Sequence, residues 1–275
     1  MIKLIKDSFT HFLDSDPFQE GAALAYYSIF SLVPVIIIII SILDLFFSKQ
    51  MVSGEVFGLF KNFLGEDAAT QIQNTIKDQN TNHNSVLTTI IGFVTLAFAA
   101  SGILSQIHDS FNRIWNLNAK VKNNIFSYAS KHMMSLFLLI TFLFFIFLTT
   151  GLNSFLVKHY DSIHIDYNYL VIVEHVISFV VASVIFTIMF KTLGDAKLNL
   201  KPAMFGGLIT SFLFFVGKVS IGLYLGYTNP TSIFGSSSYI GIFMLWVYYI
   251  SQTIFIGASF VKIISDRLGF KIVPK

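Results

Sequence analysis

The sequence predicts an all-α, polytopic membrane protein. Its six transmembrane helices leave both termini in the cytoplasm and are accompanied by interfacial amphipathic helices. Three observations predict this. The chain is 54% hydrophobic and only 12% charged, against about 25% charged in an average soluble domain, so it lacks the polar side chains to cover itself in water. Six apolar runs approach the roughly 20 residues that a helix needs to cross hydrocarbon. The Lys and Arg residues fall unevenly on the two sides that those runs define.

The runs are Gly21–Phe47, Ser85–Leu104, Met133–Phe155, Tyr167–Phe190, Pro202–Leu225 and Ser238–Ile264. The second is the weakest, diluted by Thr88, Thr89, Thr95 and Ser101. Each has to be a helix, because hydrocarbon offers backbone groups no partner outside the segment. Thirteen Lys and Arg flank one side, including Lys3, Lys6, Arg113, Lys191 and Arg267, against Lys49, Lys61, Lys77 and Lys158 on the other. Positive loops resist translocation, so the richer side is cytoplasmic. The whole chain, 1–275, reads as one six-helix membrane domain.

Two segments read as lying on the membrane. Residues 1–20 form a cytoplasmic amphipathic stretch with Leu4, Ile5, Phe9, Phe12 and Leu13 on one face, and acidic residues between it and the first run argue against a signal peptide. Within 48–84, an external segment, Phe57, Phe60, Leu64, Ala68, Ile72 and Ile76 recur at helical spacing. For this external segment an interfacial helix packed on lipid or on the bundle is the plainer reading, and an external lid or partner-docking helix the sharper one.

Ionisable residues inside spans cost about 2.5–3.5 kcal/mol even on the lenient insertion scale, so they point to function. Asp44 lies near an outer end. Glu174 and Lys218 lie deeper, each seven residues from the outer end of its span. Lys218 shares a helix face with Ala203, Gly207, Ser211 and Gly222, and Glu174 aligns with Ser178 and Ala182. Small residues at this spacing let helices approach closely. The expectation is that both charges face inward, as a substrate or proton site or as a buried pair that fixes helix register. A second cluster is Tyr26, Tyr27, Ser28, Ser31 and Pro34, where Pro34 kinks the first span. A third is Tyr248, Gln252 and Ser259 on one face of the sixth, beside Trp246 and Tyr249. Such groups most often make interhelical hydrogen bonds, and less often a polar path.

Other chemistry is missing from the sequence. There is no cysteine, and the seven histidines form no HExxH pattern. His159, Asp161, His164 and Asp166 cluster in HYDSIHID, which reads more readily as a solvated turn than as a metal site, and His175 beside Glu174 is a candidate proton relay. No nucleotide-binding or hydrolase motif occurs. A net charge of +3 is too weak to suggest nucleic acid. The small-residue faces suit packing within one chain or between chains and set no oligomeric state.

Four blocks resemble the YihY/virulence factor BrkB family of bacterial inner-membrane proteins: GAALAYYSIFSLVPVIIII, FNRIWN (Phe111–Asn116), FVGKVSIGLY (Phe215–Tyr224) and LWVYYISQTIFIGAS (Leu245–Ser259). Gly217, Lys218 and Tyr224 match that family's GK…LY pattern, and Ser31, Leu32 and Pro34 its SLxP. The resemblance implies six helices in the cytoplasmic membrane and no settled activity. An old ribonuclease label of the family finds no acidic metal site or His pair here. Where family members often carry GAE, this chain has Gly257, Ala258 and Ser259, so a role for that carboxylate does not carry over. The functional expectation is a non-enzymatic transporter, without cofactor, of an amphiphilic or lipid-like substrate. Lys218, Glu174, Tyr27, Ser31, Tyr248 and Gln252 would bind it, and Pro34, Gly207, Gly217, Tyr224 and Trp246 would serve structure or hinging. Its partners are membrane lipids. The alternative is a scaffold whose polar residues only pack helices.

Overall fold

The computed structural model describes residues 2–30, 105–117, 167–193, 195–227 and 237–274. The expected second and third spans, the 48–84 segment, Asp44, Ser31, Pro34 and the HYDSIHID stretch lie outside these residues.

The first helix, α1 (Ile2–Leu13), ends where Asp14, Ser15, Asp16 and Pro17 break the pattern. Asp16 takes a positive φ of 51°, its carbonyl accepts the Glu20 N–H, and Pro17 fills the first helical position, where no N–H is needed. Residues 17–30 are helical (α2).

Residues 105–114 form α3, where the sequence suggested a loop. Its end explains the last residue of FNRIWN. Asn116 sits at φ 53°, its N–H bonds to Arg113 O and that of Leu117 to Asn112 O at 2.8 Å. This is the paired closure that satisfies a helix's last carbonyls, and Asn tolerates the left-handed turn better than most residues.

Three long helices follow: α4 (Tyr167–Leu193), α5 (Leu200–Tyr227) and α6 (Ser237–Arg267). Each holds a stretch long and apolar enough to cross a membrane: His175–Leu193, Leu200–Ile221 and Ile240–Arg267. The helix α6 closes as α3 does, with Gly269 at φ 71° and Phe270 N–H on Ser265 O. Between α4 and α5, β1 (Ala196–Lys197) pairs antiparallel with β2 (Val273–Pro274). This short pairing is a departure from the all-α expectation.

The chain divides into two compact units. One holds Met1–Glu20, Ile107–Val219 and Gln252–Lys275; the other holds Gly21–Gln106 and Ser220–Ser251. The core of the first unit contains Phe111, Trp115, Phe190, Phe255 and Val261, all almost fully buried. Here α5 and α6 meet through glycines. A Cβ on Gly257 would run into Thr210 Oγ1 and lie 2.8 Å from Phe190 Cζ, and one on Gly206 would meet the Val261 side chain. On α4, Ser183 O and Thr187 crowd Gly207 in the same way. Away from this seam Phe205, Leu208, Phe212, Val216 and Val219 are exposed along α5 at steps of three and four, a stripe suited to lipid.

Candidate functional site

Apart from Ser31, which lies outside the described residues, the residues expected to line a polar interior fall on α2, α4, α5 and α6. Tyr27 is exposed and meets Tyr26 edge-on, ring centroids 6.1 Å apart. The buried Ser28 hydroxyl donates to Leu24 O in its own helix at 2.8 Å. Trp246 stacks on Tyr249 at 5.9 Å, and Tyr248 is half-buried. Tyr224 is exposed and Gly217 buried. Gln252 is tied down: its Nε2 donates to Pro17 O at 3.0 Å, while its buried Oε1 has no partner among the described residues. Glu174 belongs to α4, where His175 meets Phe215 edge-on at 5.4 Å.

Lys218 differs from the other members of its face. Ala203, Gly207 and Ser211 are buried, but Lys218 is exposed. Among the described residues it has no hydrogen-bond or ion-pair partner.

The polar groups that do converge are ones the sequence gave little reason to single out. They gather around α3 in the first unit. Glu20 is buried, and its Oε1 lies 2.9 Å from an Arg113 guanidinium nitrogen while its Oε2 accepts the Ser110 hydroxyl at 2.8 Å. One turn away, His108 Nε2 lies 3.0 Å from Asp195 Oδ1. Asn112 Nδ2 reaches both Asp195 Oδ2 at 3.3 Å and His108 Nδ1 at 3.1 Å. An amide N–H can only donate, so His108 Nδ1 accepts there and Nε2 carries the proton given to Asp195. The apolar side of α3 anchors the cluster. Phe111 packs on Trp115 and Phe190 with centroids 4.9 and 5.6 Å away, and Trp115 Nε1 donates to Ala258 O on α6 at 3.1 Å. FNRIWN is thus a lock: its apolar residues enter the core and its polar ones hold α2 and the α4–α5 connection.

The first helix is fastened to the same unit. Asp7 pairs with Arg267 at 2.6 Å, and Ser8 and Phe12 are buried. Next to them His11 is half-buried, and its Nδ1 has no partner among the described residues. Burial, then the charge of Lys262, push its pKa below the ordinary imidazole value, against the weaker pull of Asp14 and Asp266. No group of His, Asp and Glu suited to a metal ion occurs among the described residues.

Long apolar helices with close glycine seams and an ion-paired end define a helical integral membrane protein. The chain belongs to the Virulence factor BrkB family, whose model matches residues 8–274. Its relatives include UPF0761 membrane proteins of Saccharophagus degradans (22% identical over 94% of this chain and 59% of that protein) and Pseudomonas paraeruginosa (28% over 91% and 60%). A third, from Legionella pneumophila, is 25% identical over 94% of this chain and 60% of its own length. The chain therefore spans about 60% of the length of these relatives. No solved structure matches it.

Proposed function

We propose that the chain is a six-span protein of the bacterial cytoplasmic membrane, both ends inside, that carries an amphiphilic, lipid-like substrate with an anionic head group. The observation that supports this reading is Lys218, an exposed ammonium on an apolar helix with no protein partner among the described residues. In hydrocarbon such a group costs about 2.5–3.5 kcal/mol or more unless it reaches water or an anion. Lys218 stands three residues before Ile221, the end of the apolar stretch of α5, about 5 Å along the axis. Its stem can bring the ammonium to head-group level, where a phosphate would neutralise it. The ion-paired cluster around α3 would serve as the closed inner end.

The glycine seam and the Ser183, Thr187 and Thr210 hydroxyls turned back on their own helices favour a second reading, a scaffold in which polar groups only pack helices. The two separate in proteoliposomes that report movement of a fluorescent anionic phospholipid between leaflets. Carriage predicts activity in the wild type and a loss of about tenfold or more in Lys218→Ala, the equivalent of roughly 1.4 kcal/mol. Equal rates in the two, or none in either, would favour the scaffold.

A further inference from the structure

We infer that α1 is an anionic-lipid-binding helix lying in the membrane interface, with one face docked on the protein and an adjacent face presented to the bilayer. The helix divides its circumference into three arcs. At 100° per residue, Ser8 and Phe12, both buried, mark the docked arc. The adjoining arc holds Ile2, Ile5, Phe9 and Leu13, spaced by three and four and 85%, 52%, 51% and 44% exposed. Lys6 and then Lys3, also exposed, border that apolar arc on its far side.

A helix that only packed on the protein would have one apolar face, and this one has two. Four large apolar side chains left open on a 12-residue helix call for an apolar occupant. The lysines beside them identify it. Apolar arc into the acyl boundary, with lysines at the phosphates, is the arrangement by which interfacial helices bind anionic membranes. The Asp7–Arg267 ion pair and the buried Phe12 fix the rotation of the helix, so the free arc cannot roll onto the protein. Asp7, one helical turn after Lys3, is neutralised by that pair, which leaves the lysine edge basic. The inference holds whether or not the chain carries a substrate.

Phe9→Trp places a reporter on the free arc of the intact chain, read against the wild-type background of two tryptophans. In vesicles of phosphatidylcholine with one third phosphatidylglycerol, the added fluorescence should be quenched by brominated lipid and shielded from acrylamide. Brominated phosphatidylglycerol should quench it more strongly than brominated phosphatidylcholine. That preference should fall about fivefold with each of Lys3→Gln and Lys6→Gln. Quenching by acrylamide alone would show the arc in water, and shielding from both quenchers with cross-linking between position 9 of two copies would show a dimer contact; either overturns the inference. So would an equal preference for the two lipids.

Discussion

The two halves of α5 are similarly apolar but have different surroundings. In the first half Ala203, Gly206, Gly207, Thr210 and Ser211 are buried, and the neighbouring backbones and side chains leave no room for a Cβ on Gly206 or Gly207. The Thr210 hydroxyl turns back to Gly206 O at 2.9 Å, so even its polar atom is used within the seam. In the second half Val216, Lys218 and Val219 are exposed and only Gly217 between them is buried. Small residues and hydroxyls therefore mark where helices lock together, and the charged side chain stands where the locking stops. The polar residues of the first half are buried in the seam, whereas Lys218 stands open to a ligand.

If the first half is a rigid seam, filling it should cost most. Gly257→Ala should lower stability by about 1–3 kcal/mol through overpacking against Thr210 and Phe190, seen as a lower melting temperature in detergent. Gly241→Ala, whose Cβ would meet nothing within 4 Å, should leave the melting temperature unchanged or slightly raised.

The ion-paired cluster comes next. Arg113→Ala removes the ion-pair partner of the buried Glu20 carboxylate and should cost roughly 2 kcal/mol, less than a fully buried pair because Arg113 is half-exposed. Glu20→Gln keeps a polar group there and frees an arginine that water can solvate, so its cost should be smaller. The reverse order in chemical or thermal unfolding would mean that Arg113, not Glu20, is the strained partner.

A smaller effect is expected at α1. The folded state holds the His11 pKa below its ordinary value of about 6.5, so below that pH the undocked imidazole gains a proton that the docked one resists. The contribution to stability is fully kept above that value and lost as pH falls. Protease cleavage between α1 and α2 should accelerate on acidification in the wild type, and His11→Gln should flatten that dependence.

Much of this fold was legible because hydropathy acts locally. Tyr167–Phe190, Pro202–Leu225 and Ser238–Ile264 each fall inside the observed helix, which runs on to Leu193, to Tyr227 or to Arg267. In α6 the helix continues past charged Asp266 to Arg267, until Gly269 turns the chain. The helix α3 was missed for the opposite reason. Its mixture of polar and aromatic residues reads as a loop until Asp195 and Ala258, 83 and 143 residues beyond their partners, are brought beside it. Glu20 looked like a flanking acid for the same reason, since Arg113 and Ser110 lie far along the chain. Gly207 was visible through its four-residue spacing. Gly206 and Gly257 were not, because their tightness depends on which helices meet.

The smallest expected change in folding is at Lys218, which touches no partner among the described residues: Lys218→Ala should shift stability by no more than about 0.5 kcal/mol. Its effect should appear in ligand binding. The most direct test is the melting temperature of the detergent-solubilised chain titrated with a short-chain phosphatidylglycerol, which stabilises the folded state in proportion to its binding. The wild type should be stabilised, Lys218→Arg nearly as much, and Lys218→Ala far less from the same starting temperature. Equal stabilisation of wild type and Lys218→Ala would contradict an anionic head-group site at Lys218.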